Sequence, residues 1–295
     1  MQLEEVNQLL EHQGYLTDES VTMALFLSLR LSKPLLVEGP AGVGKTEIAK
    51  VLSRAMDTEL IRLQCYEGLD AAHALYEWNY QRQLLHLKIV EHSEQSIEEK
   101  EKTIFSSPFL LKRPLLQAIT QSRKPVLLID EIDRSDEGFE SYLLEVLSDW
   151  QITIPETGTI KATQIPYVIL TSNHTRELSE ALRRRCLYLY IDYPDFEKEC
   201  GIIRNKLPGI DANLAAEITR FIQELRKLKL DKKPGIAESL DWALALFALH
   251  IEHLDKKIIE QTLGVVIKDW KDTREVQLSL SELMEKTGVS PKMIH

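Results

Sequence analysis

The sequence predicts an α/β domain built on a parallel sheet, followed by a smaller α-helical domain. Three observations carry this. A glycine-rich run, Gly39-Pro-Ala-Gly-Val-Gly-Lys-Thr46, stands between an apolar strand-like segment and a segment of helical spacing. Five short apolar runs alternate with helical patterns, the order expected of a parallel sheet covered on both faces. Beyond Pro194 the character changes, and apolar residues keep helical spacing to near the end of the chain.

The first strand candidate is residues 35–38, within Pro34-Leu-Leu-Val-Glu38. Its continuous apolar character suits a strand buried on both faces. The glycine-rich run follows directly and fits the phosphate-loop pattern GxxxxGK[ST] at every fixed position. Ile48, Val51, Leu52 and Ala55 then recur at helical spacing, so a helix begins near Lys45 or Thr46. Gly39, Gly42 and Gly44 let the backbone of Gly39, Pro40, Ala41, Gly42, Val43 and Gly44 curl around phosphate, with its N–H groups and the helix N-terminus directed at the anion. Lys45 is expected to reach the β- and γ-phosphates, and the Thr46 hydroxyl to ligate Mg²⁺.

The second strand candidate is residues 60–65, and the third is residues 126–130. The third ends in Asp130-Glu131, at the edge where open α/β sheets bind ligands. Asp130 is expected to hold Mg²⁺ through water, and Glu131 to polarise the attacking water. Glu131 and Asp133 also suit the start of a helix, a role compatible with catalysis. Residues 167–171 and 187–191 complete the five. Together the motifs predict an ATPase that uses ATP and Mg²⁺.

Two segments interrupt the pattern. Residues 84–108 carry a charged run from Glu91 to Lys102, expected to be a solvated helix or loop. Residues 150–166 read as a β-hairpin. The α/β domain is assigned to residues 1–194 with these two insertions, and the helical domain to residues 195–295. In the latter, 239–251 and 258–267 read as helices, and 229–235 as a polar break.

The 295-residue chain has a formal net charge of −10, which disfavours non-specific binding to nucleic acid or anionic membrane. The N-terminus lacks the basic and apolar regions of a secretory signal. Residues 23–37 are broken by Arg30, Lys33 and Pro34 and are too short to span a bilayer. A cytoplasmic location and no membrane insertion are expected. Cys65, Cys186 and Cys200 have no zinc-site spacing, and the eight histidines are scattered. Cys65 and Cys186 are expected to be buried small hydrophobes.

Further phrases add to the two motifs: Leu-Gln-Cys-Tyr-Glu-Gly-Leu-Asp70, Ala-Leu-Tyr-Glu-Trp-Asn-Tyr80, Leu-Thr-Ser-Asn173, Ala-Leu-Arg-Arg-Arg-Cys-Leu-Tyr188 and Pro-Gly-Ile-Ala-Glu-Ser-Leu-Asp-Trp242. With these the chain resembles AAA+ ATPases of the MoxR type across nearly its full length. It looks most like the subgroup associated with maturation of carbon monoxide dehydrogenase and related molybdenum enzymes. The resemblance implies a sheet in order 5-1-4-3-2, a helical lid, and a homo-oligomeric ring, commonly a hexamer. It implies a sensor role for Asn173 and a restraining role for Gln64 beside Glu131. It also implies an arginine finger, acting on the neighbouring subunit, among Arg183, Arg184 and Arg185. Arg185 matches that position best and Arg184 next. Many relatives carry a second sensor arginine where this chain has Gly235-Ile-Ala-Glu238. A protein client and a von Willebrand A-domain partner are implied, with chaperone-like metal-cofactor insertion as the work done. A nucleic-acid motor or loader is the alternative, and no nucleic-acid partner is expected.

Overall fold

The computed structural model describes residues 2–93 and 96–289. Glu94 and Gln95 of the charged run, and the last six residues of the expected helical domain, lie outside the described residues.

The chain falls into two compact units. Among the described residues, the first comprises 2–13, 18–38, 46–93 and 96–190. Helices α1 (Leu3–His12) and α2 (Glu19–Leu31) precede strand β1 (Leu35–Glu38) and helix α3 (Lys45–Ala55). Strand β2 (Leu60–Gln64) leads to α4 (Ala71–Ala74), β3 (Tyr76–Trp78), α5 (Tyr80–Ile89), α6 (Ile97–Ile104), β4 (Leu110–Lys112) and α7 (Pro114–Ile119). Then come β5 (Val126–Asp130), α8 (Glu137–Asp149), β6 (Gln151–Ile154), β7 (Gly158–Lys161), β8 (Tyr167–Ser172), α9 (Glu180–Arg185) and β9 (Leu187–Tyr190).

Strands β2, β5, β8, β1 and β9 form one parallel sheet in that order. Numbered among themselves, they give the expected order 5-1-4-3-2. Every residue of β1 and β5 is buried, which is why both read as unbroken apolar runs. The register pairs Glu38 with Ser172 and Gln64 with Asp130, so the polar ends of β1, β2, β5 and β8 share one edge. The core beneath includes Leu36, Leu63, Leu127, Ile129 and Leu170.

Strands β2 and β9 each stop one residue short of the expected end, and β8 runs one further, to Ser172. The segment expected as an insertion at 84–108 starts inside α5, which follows directly from the small antiparallel sheet β3–β4. Trp78 anchors that sheet edge-to-face on Phe105, with centroids 5.3 Å apart. Strands β6 and β7 form the antiparallel hairpin expected within 150–166.

Among the described residues, the second unit comprises 14–17, 39–45 and 191–289. Its helices are α10 (Phe196–Lys206), α11 (Ala212–Leu225), α12 (Ile236–Ala248), α13 (Lys256–Val266) and α14 (Trp270–Thr287). Asp211, Asp255 and Asp269 accept backbone N–H bonds at the starts of α11, α13 and α14. Trp242 is fully buried, stacks at a tilt on Phe221, and donates its indole N–H to Thr262 at 2.8 Å. Among the described residues, no helix is long and apolar enough to cross a membrane.

Candidate functional site

The glycine-rich loop leaves β1 and turns into α3. Gly42 and Gly44 have φ of +76° and +93°, conformations that a side chain disfavours. A Cβ on Gly44 would meet nothing within 4 Å, so the loop backbone there borders open space. The Lys45 ammonium donates to the carbonyls of Gly39 and Pro40 at 2.8 and 2.6 Å and is held along the loop. Val43, within the loop, is buried.

The same loop is bound to the start of α12. Ile236 donates its N–H to the Gly42 carbonyl at 2.8 Å. A Cβ on Gly235 would lie 2.7 Å from the Gly42 Cα, so only glycine permits this approach. The Glu238 carboxylate accepts the Gly235 N–H at 2.8 Å. A glycine contact and a carboxylate therefore stand where relatives are expected to place a sensor arginine.

At the end of β5, Asp130 is 3 % exposed and gathers four donors. The Thr46 hydroxyl donates to it at 3.0 Å, and the Thr171 hydroxyl donates to the same oxygen. Arg62, from β2, places Nε at 3.1 Å and Nη2 at 2.6 Å on the other oxygen. Glu131 has a left-handed backbone, φ +54°, which costs a non-glycine residue about 1–3 kcal/mol. Its N–H donates to Thr171, at 2.9 Å. Three side chains hold its carboxylate: Gln64 at 3.0 Å, Arg134 at 3.1 Å and Asn173 at 3.4 Å. The Thr46 hydroxyl and the Asp130 carboxylate are hard oxygen donors within one hydrogen bond of each other, a set that fits Mg²⁺.

Asn173 follows β8 directly, and its N–H donates to Asp133 at 3.2 Å. Asp133 also accepts the N–H and hydroxyl of Thr175 at 2.9 and 2.7 Å. Burial raises the Asp133 pKa, but these hydrogen bonds outweigh it, and the group sits below its ordinary 3.8. Cys65 lies beside this cluster. Burial, with the charges of Asp130, Asp133 and Glu131, pushes its thiol up to about 12 and keeps it protonated at neutral pH. Burial likewise takes Cys186, which is half-buried, to about 12.

The three consecutive arginines at the end of α9 point to different partners. Arg183 stacks over the Tyr188 ring at 5.7 Å. Arg184 pairs with Glu180 on the surface. Arg185 donates to the Ala181 carbonyl at 2.9 Å and to the Ser148 hydroxyl.

The structure thus brings Thr46, Asp130, Glu131, Asn173 and Gln64 together at one end of the sheet. Sequence reasoning missed Arg62 and Thr171, and it gave Asp133 only a capping role. A visible signal did exist for Arg62. It is a lone charge in the strand Leu-Ile-Arg-Leu-Gln64, two residues before Gln64 and therefore on the same face. Among the described residues, no three His, Cys, Asp or Glu cluster as a metal site of their own.

Comparison with known proteins shows relatives over most of the chain and a family. An uncharacterised protein of Staphylococcus haemolyticus is 28 % identical over 277 residues, covering 91 % of this chain and 96 % of that one. One from Staphylococcus epidermidis strain RP62A is 27 % identical over 274 residues, covering 90 % and 95 %. A solved RuvB variant of Thermotoga maritima covers 94 % of this chain and 83 % of its own, with a TM-score of 0.51 and 19 % identity, a likeness of fold. Residues 34–186 match the family described as AAA domain (dynein-related subfamily). That match spans more than half of the chain and takes in the glycine-rich loop, Asp130-Glu131 and Asn173, and the chain belongs to this family of AAA domains.

Proposed function

We propose that the chain binds MgATP and hydrolyses it to ADP and phosphate. The observation that carries this reading is the Thr46–Asp130 hydrogen bond, 3.0 Å long, with Glu131 as the next residue. It supports a cation position flanked by a base. Thr46 and Asp130 would hold Mg²⁺, which supplies charge neutralisation to the phosphate oxygens. Lys45 and the loop N–H groups would bind the phosphates. Glu131 would take proton density from the attacking water, with Asn173 orienting it. Gln64 and Arg134 would hold Glu131 aside until substrate draws it out.

Arg185 is the residue we assign as the finger completing a neighbouring subunit's site, with Arg184 the next candidate. A planar, permanently charged guanidinium suits that task. Its bonds to Ser148 and Ala181 would have to break first. A ring, of six subunits by family resemblance, would follow. The MoxR-type phrases support a cytoplasmic remodelling role on a protein client. A von Willebrand A-domain partner and the maturation of a metal enzyme belong to the same resemblance. Residues 195–295 would serve as the lid.

Steady-state phosphate release and nucleotide-binding titration test the core of this reading. Glu131→Gln should lower turnover roughly 10²–10⁴-fold and leave binding intact, because the amide cannot accept a proton. Lys45→Ala should weaken binding itself. Wild-type specific activity should rise with protein concentration until assembly saturates. Wild-type turnover in Glu131→Gln would remove Glu131 as the base, and concentration-independent activity would remove the trans arrangement.

A further inference from the structure

The nucleotide-sheet unit holds a second concavity that the ATPase reading does not use. A cavity of about 520 Å³ opens where β3, the start of α5, α8 and the β6–β7 hairpin meet. Its walls carry Tyr76, Trp78, Tyr80 and Tyr142, with the carboxylates of Glu145 and Glu156. Tyr142, Glu145 and Val146 reach it together because they are spaced i, i+3 and i+4 on α8. Among the described residues, no lysine, arginine or histidine lines it, and the third carboxylate, Glu77, already pairs with Arg113. Glu145 accepts the Thr153 hydroxyl, at 3.0 Å, and Glu156 the Trp78 indole N–H, at 3.2 Å. Among the described residues, neither has a cationic partner.

Four aromatic rings and two unpaired carboxylates select the ligand's chemistry. Ring faces attract a cation, and the carboxylates add charge-assisted hydrogen bonds. An anion would meet only like charge. A purely apolar ligand would strip water from two carboxylates and return nothing. The volume suits one long side chain better than a compact ion, which could not touch rings and carboxylates at once. The surroundings favour a ligand carried on a chain. Helix α5 starts at Tyr80 in the cavity wall and then exposes Leu84, Leu85 and Ile89, at 62, 59 and 72 %. Such an apolar row suits the flanking residues of a bound segment. The geometry points to a site that receives an arginine or lysine side chain presented by an extended segment of a partner protein. The site supplies a recognition chemistry to the proposed client role, but the binding itself needs no nucleotide.

The test uses the full-length protein and a fluorescein-labelled Gly/Ser peptide carrying two arginines, read by fluorescence anisotropy. Its twin replaces both arginines with citrulline, which keeps shape and loses charge. The arginine peptide should bind about tenfold tighter than the twin, the scale of a partly desolvated cation among rings and carboxylates. Glu145→Gln/Glu156→Gln should abolish that preference, and Tyr142→Ala should reduce it. Glu252→Gln/Glu275→Gln removes the same charge from exposed positions elsewhere and should keep the preference. Thermal melting confirms that each variant is folded. Equal binding of the two peptides overturns the proposal. So does equal weakening by both double variants, which would reduce the effect to attraction by an acidic surface. If phosphate release fails but the arginine preference follows Glu145 and Glu156, this site stands and the ATPase reading falls alone.

Discussion

In the helical unit, Arg226 grips Glu199. In the nucleotide-sheet unit, Arg62 grips Asp130. The contacts are alike, both within 2.6 Å, but the surroundings are opposite. The Arg226 and Glu199 side chains are 7 and 0 % exposed, whereas Arg62 is 50 % exposed over an Asp130 that is 4 % exposed. Glu199 also receives Ser239 at 2.7 Å and Gln223 at 3.0 Å, and Arg226 donates to the Pro234 carbonyl at 2.7 Å. Tyr193 stacks on the guanidinium at 4.6 Å. That network is saturated and joins α10, α11 and α12. It also fixes Pro234, the residue before the Gly235 that touches the glycine-rich loop. Around Asp130 the guanidinium is half exposed, and at the proposed Mg²⁺ site a cation of higher charge would displace it. A buried pair holds a fold; a half-exposed pair on a ligand carboxylate can be exchanged.

The largest effect should come from breaking the buried pair. Arg226→Met leaves Glu199 charged and uncompensated, at a cost of about 3–5 kcal/mol. Adding Glu199→Leu should recover most of that, because the double change removes the stranded charge along with its partner. Denaturant unfolding followed through the tryptophan signal measures both. A single variant that unfolds within about 1 kcal/mol of wild type would show that the pair does not tie these helices.

Asp133 gives an intermediate case, buried like Glu199 but with three hydrogen bonds to one carboxylate oxygen in place of a cation, the other oxygen having no hydrogen-bond partner among the described residues. Asp133→Asn should cost about 1–3 kcal/mol at neutral pH, since an amide accepts these donors less strongly. The Asp133 pKa is depressed in the folded state. Its contribution is therefore complete above the ordinary value of 3.8 and disappears as pH falls through the lower folded value. Wild type should lose stability on acidification through that range, and Asp133→Asn should lose less. Parallel pH profiles would assign the acid sensitivity to other carboxylates.

The sheet was legible from sequence chiefly because its central strands, β1, β5 and β8, are buried on both faces. Residues such as Leu127, Leu128 and Ile129 leave no other reading. The place of Thr46 was legible from a glycine-rich run ahead of a helix, those of Asp130 and Glu131 from the end of an apolar strand, and that of Asn173 from the family resemblance. Arg62 and Thr171 were not. Their contacts with Asp130 depend on the lateral order β2–β5–β8 and on register, which spacing along one strand does not contain. The β3–β4 sheet escaped because three-residue strands carry almost no periodic signal. The Gly235–Gly42 approach joins residues nearly two hundred positions apart, and neither glycine announces the other.

The smallest effect on stability, and the sharpest test of the comparison, belongs to Arg62. Its guanidinium is half exposed, so Arg62→Ala should change unfolding free energy by no more than about 1 kcal/mol. The informative readout is magnesium. At the proposed Mg²⁺ site Arg62 and the divalent cation would compete for the same carboxylate, and removing the arginine would leave Asp130 without its counter-charge and better hydrated. The Mg²⁺ concentration for half-maximal nucleotide binding should therefore fall, by up to about fivefold, which is the same ~1 kcal/mol expressed as an equilibrium. Arg62→Lys should stay nearer wild type, because it keeps the charge, although it loses the second hydrogen bond to Asp130 and the one to Gln64. The converse result, a raised Mg²⁺ requirement in Arg62→Ala, would mean that the guanidinium orients Asp130 for the metal. Arg62 would then belong with Arg226 as a fixed structural partner, and the contrast between the two pairs would reduce to exposure alone.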